Sequence, residues 1–200
     1  MDQIDIPSWY TEKNITIVSK QVFQSISKTE TPQGILAIVK MKQTSFSNGK
    51  HILLIDAVQD PGNLGTIIRT ADAAGIGGII LGEGTVDVFN DKVIRATQGS
   101  LFHIPIKESK LDSELKKLKN AGYDIWASAL ERAHHYQRVN VPEKVALLLG
   151  NEGSGIDQKY IEQADLSVKI PIYGKAESLN VGVAASILMY YIVENTYRNE

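Results

Sequence analysis

The sequence predicts an α/β fold, a mostly parallel sheet of about six strands with helices on both faces. Three observations carry it. Apolar runs such as ILLIDAV at 52–58 are interrupted so rarely that they suit strands covered on both sides. They alternate with helix-like stretches, joined by short Gly/Pro/Asn connections, and a strand-helix-strand unit of that kind implies a right-handed parallel crossover. The chain then closes on residues 170–193, IPIYGKAESLNVGVAASILMYYIV, a short strand, a polar loop and a helix apolar on nearly every face. Such a helix has to be buried on all sides.

The elements follow in order. Residues 1–42 hold an amphipathic segment around Val22, Phe23 and Ile26, then a Pro-Gly turn feeding an expected strand at 35–39. About forty residues cannot bury a core of their own. Residues 43–50 are polar and suit a linker. Residues 51–200 form the main domain: strand 52–58, the turn QDPGN, a helix stopped at Gly75, strand 77–81, helix 90–98, strand 104–106, and an exposed, charged helix at 111–121. Strands at 124–129 and 145–149, the loop GNEGSG, a helix at 157–163 and a strand at 168–171 lead to the last helix.

Composition narrows the function. The 200 residues carry a net charge of −2 and are 43% apolar, as in ordinary globular domains. There is no apolar run of membrane-spanning length and no signal-peptide pattern, so no membrane association and a cytoplasmic location are expected. With no cysteine and four histidines, no metal site is expected. The mild acidity speaks against a surface that grips nucleic acid everywhere.

Three loops, DPGNLG (60–65), GNEGSG (150–155) and YGKAESLN (173–180), each follow an expected strand. Ligands of open parallel sheets bind at the carboxyl ends of strands, so the three loops could share one site. GNEGSG matches neither a P-loop nor a dinucleotide fingerprint, yet its glycines allow a close backbone approach. Glu152, between glycines, has no evident structural task. Asn63 and Ser178 each read as helix N-caps, and Arg69 is a lone cation on a mostly apolar helix. Glu177, Ser178 and Asn180 supply more polar groups than a cap requires.

NLGTIIR, LLLGNEGSGI and IPIYGKAESLNVGVAASILMY, in that order, resemble the three signature motifs of the SpoU (TrmH) family of RNA ribose 2′-O-methyltransferases, in the SPOUT superfamily. RATQGSLFHIPI (95–106) is similar to a family segment between the first two motifs, and TPQGILAIV resembles the end of a ribosomal-protein-like RNA-recognition domain, whose first half would be absent. The resemblance implies a C-terminal deep trefoil knot, a homodimer packed through the last helix, S-adenosylmethionine (AdoMet) as methyl donor, and a tRNA or rRNA substrate. It places catalysis on Asn63, Arg69, Glu152, Ser178 and Asn180. Cofactor contacts are expected at Gly150, Ile170 and Leu179, with Ser128, Ala129 and Asn151 beside them. Arg69 is the family's proposed base, but a guanidinium is a reluctant base and suits phosphate binding and charge stabilisation better. Gly182 stands where many members have serine, and close packing against the knot or the partner subunit would compensate for a glycine in a helix. The alternatives are a non-catalytic RNA-binding relative, against which the intact motif residues speak, and a Rossmann oxidoreductase, which lacks its fingerprint after the first strand.

Overall fold

A computed structural model describes residues 15–27, 29–40 and 50–198. The chain divides into two units, Met1–Lys42 and Gln43–Glu200. In the first, helix α1 (Lys20–Ile26) starts at Ser19, whose hydroxyl accepts from the Val22 amide. The strand expected at 35–39 does not form: this stretch pairs with no strand among the described residues, and a strand needs a neighbour to take its hydrogen bonds. The expected linker at 43–50 lies outside the described residues but for Lys50.

The second unit is built on a sheet of seven strands, one more than expected, and every pairing is parallel. They are β1 (His51–Ile55), β2 (Gly78–Leu81), β3 (Ile106–Glu108), β4 (Asp124–Ser128), β5 (His134–His135), β6 (Val145–Leu149) and β7 (Leu166–Lys169). Their order across the sheet is β3-β2-β1-β6-β4-β7-β5. The additional strand is β5, two residues at the edge paired with β7, too short to leave a period in the sequence.

Side chains alternate between faces along each strand and meet two separate cores. Leu53 and Ile55 face α2 (Pro61–Ala73), α3 (Asp91–Ala96) and α6 (Val181–Arg198), while Ile52 and Leu54 face α4 (Leu111–Asn120) and α5 (Gln158–Ile161). α4 is not the exposed helix its charges suggested. Leu111, Leu115 and Leu118 are buried, and so is Glu114, whose carboxylate accepts from Lys107 Nζ, Lys117 Nζ and Ser109 Oγ at 2.7, 2.8 and 3.0 Å. Burial would raise its pKa, but those donors win and hold it below the ordinary glutamate value.

α6 also departs from expectation. Ala185, Leu188, Met189 and Ile192 are buried, but Val183 and Tyr190 are 48% and 44% exposed, so one side is left uncovered within the chain. Near its far end, His51, Gly75, Val193 and Thr196 with Lys50 line a cavity of about 220 Å³. His51 is buried there, with Nδ1 accepting from the Val145 amide and Nε2 unpartnered. Burial, helped by Lys50, lowers its pKa from 6.5 to about 4. The unfolded chain therefore binds a proton that the folded chain refuses between these values. The His51 contribution to stability is complete above pH 6.5 and is lost as pH falls toward 4, at up to about 1.4 kcal/mol per pH unit. His51→Gln removes the titration and keeps an acceptor. Urea unfolding should show the wild type losing stability relative to H51Q across that window, and parallel curves would refute the assignment.

Candidate functional site

Strand order reverses between β1 and β6, and the loops leaving their carboxyl ends meet at this switch point, where open parallel sheets bind their ligands. The β1 loop turns through Ala57, held at φ 56°, a left-handed conformation costing on the order of 1–3 kcal/mol for a residue with a Cβ. It enters α2 at Asp60, the N-cap, whose Oδ1 accepts from the Asn63 amide at 2.8 Å, with Pro61 in the first turn. Asn63 is therefore inside the helix, not its cap, and its side chain is free for other work.

That work is a chain of hydrogen bonds across all three loops. Asn63 Nδ2 donates to Glu152 Oε1 at 2.9 Å, and Asn63 Oδ1 accepts from Asn180 Nδ2 at 2.8 Å. Glu152 also accepts from the Gln59 amide at 3.2 Å and the Asp60 amide at 3.1 Å. Partial burial would raise its pKa, but Asn63 and the backbone donors hold it below the usual value, so it stays anionic. Glu152 thus has a structural task invisible in its glycine-flanked context: it binds the start of α2, where the amides and the helix dipole favour an anion.

The GNEGSG loop is closed by an antiparallel pair of hydrogen bonds between Asn151 and Gly155. Asn151 Nδ2 donates to Ala57 O at 2.8 Å, while its Oδ1 accepts from the Gly153 and Ser154 amides. Its side-chain amide is engaged within the protein. Gly150 is buried where a Cβ would lie 2.3 Å from Gly155 C and Ile156 N, so only glycine fits. Two residues the sequence reading missed complete the frame, Asp60 and Asp56. Asp56 Oδ2 accepts from the Asp157 amide at 2.7 Å, and burial raises its pKa. An acid interrupting an apolar strand was the available signal.

The third loop enters α6 at Asn180, whose Oδ1 accepts from the Gly182 and Val183 amides at 2.9 and 3.3 Å. The cap is therefore Asn180 and not Ser178, whose exposed hydroxyl makes no hydrogen bond among the described residues. A cap reaches the amides two and three positions on, and the capped amides here, Gly182 and Val183, lie four and five residues past Ser178. Asn180→Ala should cost about 1 kcal/mol in urea unfolding, and Asn180→Ser, which keeps a capping oxygen and sets no charge against Asn63 Oδ1, should restore part of it. Equal losses would show that the cap is not the source. α6 then runs beside α2 on small residues: Gly182, whose added Cβ would lie 3.2 Å from Thr66, and Ser186, bonded to Thr70 at 3.3 Å. The close packing at Gly182 is thus within the chain.

Ser128, Gly150 and Ile170 stand at or just beyond the carboxyl ends of β4, β6 and β7, three adjacent strands. The Ala129 amide donates to Val168 O, and Leu179 is 36% exposed. Residues 171–179 make no hydrogen bond among the described residues, so their backbone groups are open to a ligand. Arg69 stands apart. It lies six residues beyond Asn63, about 9 Å further along α2, exposed and without an ion pair among the described residues. No group of acidic or histidine side chains fit to hold a metal occurs among the described residues.

Comparison with known proteins follows this geometry. Residues 50–190 match the SpoU rRNA Methylase family, and residues 5–45 match a family described as RNA 2′-O ribose methyltransferase substrate binding. The chain is 46% identical over 192 residues to the 23S rRNA (guanosine(2553)-2′-O)-methyltransferase RlmP of Bacillus subtilis, covering 96% of this chain and 77% of that protein. The AdoMet-bound rRNA methyltransferase from Sinorhizobium meliloti superposes with a TM-score of 0.77 at 34% identity, covering 88% of this chain and 70% of the other. The SpoU methyltransferase AviRb from Streptomyces viridochromogenes, in complex with AdoMet, does so at 0.66 and 31%, covering 72% and 56%.

Proposed function

Since the chain belongs to the SpoU rRNA methylase family, we propose that it methylates the ribose 2′-hydroxyl of a guanosine in 23S rRNA, with the switch-point loops as its active site. It is an AdoMet-dependent RNA ribose 2′-O-methyltransferase. The observation that carries the switch point as its site is the Glu152–Asn63–Asn180 chain, which brings polar side chains of the three motif loops together. The rRNA target rests on the 46% identity to an enzyme of that name. Work on rRNA puts the protein in the cytoplasm, and no helix among the described residues is long and apolar enough to cross a membrane.

The residues present fit AdoMet. The open backbone of 171–179, half-exposed Leu179 and partly buried Ile170 offer polar edges and apolar faces to an adenosyl group, and the Ser128 hydroxyl is unbonded among the described residues. Gly150 and Ala129 would lend backbone groups, and Asn151 would act by shaping the loop. When bound, AdoMet supplies an electrophilic methyl group. The chain's own residues must place the ribose hydroxyl in line and stabilise the charge as its proton leaves. Ser178, with its free hydroxyl, and Asn180, held by Asn63, are assigned to the ribose, and Arg69 to the adjoining phosphate.

The assembly is a homodimer joined through α6, whose exposed Val183 and Tyr190, with half-buried Ile187 between them, recur at helical spacing along one side. Arg69 lies on the helix beside that stripe. The knot belongs to the same reading, with residues 170–180 as the threaded segment. Residues 1–42, the separate first unit, serve as an RNA-recognition element joined by a linker at 43–50.

Calorimetry with AdoMet and with a nicotinamide dinucleotide, together with methyl transfer to 23S rRNA transcripts mapped by primer extension, tests this function. AdoMet binding and a single 2′-O-methylated guanosine are expected. Binding of the dinucleotide instead, or AdoMet binding without transfer to any RNA, would overturn it.

A further inference from the structure

One segment that resembled the family has no task in the site described above. After α3 the chain turns through Gln98 at φ 51° and Gly99 at φ 95° into a short 3-10 turn, Ser100–Phe102. The ledge is rigid. Thr97, Ser100 and Ile104 are buried, the amides of Ser100, Phe102 and His103 bond back to Thr97, Gly99 and Ser100, and His103 Nδ1 pairs with Asp72 Oδ2 of α2 at 3.0 Å. Phe102, in the middle of this fixed backbone, is 63% exposed.

A phenyl ring held out on a rigid turn exposes apolar surface without a structural return. The His103–Asp72 contact ties this turn to the last turn of α2, where Arg69, a cation with no ion pair among the described residues, stands three residues before Asp72. An exposed aromatic ring and an unpaired guanidinium, both tied to the same stretch of α2, can together bind unpaired nucleic acid, the ring stacking on a base and the cation meeting a phosphate. We propose that Phe102 is a stacking platform for an unpaired base of the RNA substrate, adjoining the nucleotide whose phosphate Arg69 holds. The inference rests on the reading of this chain as an RNA methyltransferase. It adds a contact beyond Arg69, toward the C-terminal end of α2 and away from the cofactor strands.

Phe102→Ala, Phe102→Leu and Phe102→Trp, compared with the wild type, test it. RNA affinity is read by fluorescence anisotropy on a 23S rRNA transcript, AdoMet affinity by calorimetry and oligomeric state by light scattering. F102A and F102L should each weaken RNA binding about tenfold, F102W should stay within about twofold, and AdoMet affinity and oligomeric state should not change. Unchanged RNA affinity in F102A, or F102L equal to the wild type, would overturn the platform. So would a change in oligomeric state, which would mean that the ring packs on a second copy. A wild type that binds RNA but transfers no methyl defeats the proposed function and not the platform, which is read from binding alone.

Discussion

Replacing Arg69 with alanine is expected to lower methyl transfer by at least about a thousandfold while AdoMet affinity stays within about twofold. Arg69 is exposed, lies two turns from the Glu152–Asn63–Asn180 chain and has no partner among the described residues, so the fold loses nothing with it and the melting temperature should not move. Its proposed role is toward the RNA, where a guanidinium can hold a phosphate bidentately and stabilise charge developing on the ribose oxygen. Arg69→Lys separates this from a base. A lysine titrates lower than arginine, so a base role predicts activity recovering as pH rises through about 10, whereas electrostatic stabilisation predicts a reduced and pH-flat rate. Loss of AdoMet binding in R69A would show that the residue belongs to the donor side.

Gly150→Ala should give the opposite pattern, with AdoMet affinity falling more than about a hundredfold and stability falling by about 2 kcal/mol. The added Cβ would lie 2.3 Å from Gly155 C and Ile156 N and 2.5 Å from Gly155 O. These are backbone atoms of the same closed loop and cannot rotate away, so the loop must open. Opening it breaks the Asn151–Gly155 pair and carries Glu152 off Asn63. Calorimetry and urea unfolding read both effects. A G150A protein with wild-type AdoMet affinity would remove the GNEGSG loop from the cofactor site. Together the two substitutions separate the donor side from the acceptor side.

Much of the site was legible because motif residues keep their spacing wherever the chain goes. Asn63, Glu152 and Asn180 were singled out from three separate stretches and meet in one chain of hydrogen bonds. Their local roles were not legible. Asn63 and Ser178 both satisfy the preference for an N-cap, yet Asp60 and Asn180 hold those places, because a cap is decided by where the backbone leaves its extended conformation and several polar residues in a row qualify equally. The buried face of α4 was hidden by its charges, since Glu114 enters the core with Lys107, Lys117 and Ser109 as partners, two of them from outside the helix.

By itself the sequence determined the alternation of strands and helices, the parallel sheet it implies, and the set of residues available for chemistry, because hydrophobic periodicity and glycine, proline and capping signals act over a few neighbours. The tertiary structure alone decided the seventh strand, the switch point between β1 and β6, and the task of Glu152 in holding the start of α2. The reason is physical. Strand order and a hydrogen bond spanning 89 residues depend on which surfaces pack together, and no local pattern encodes that.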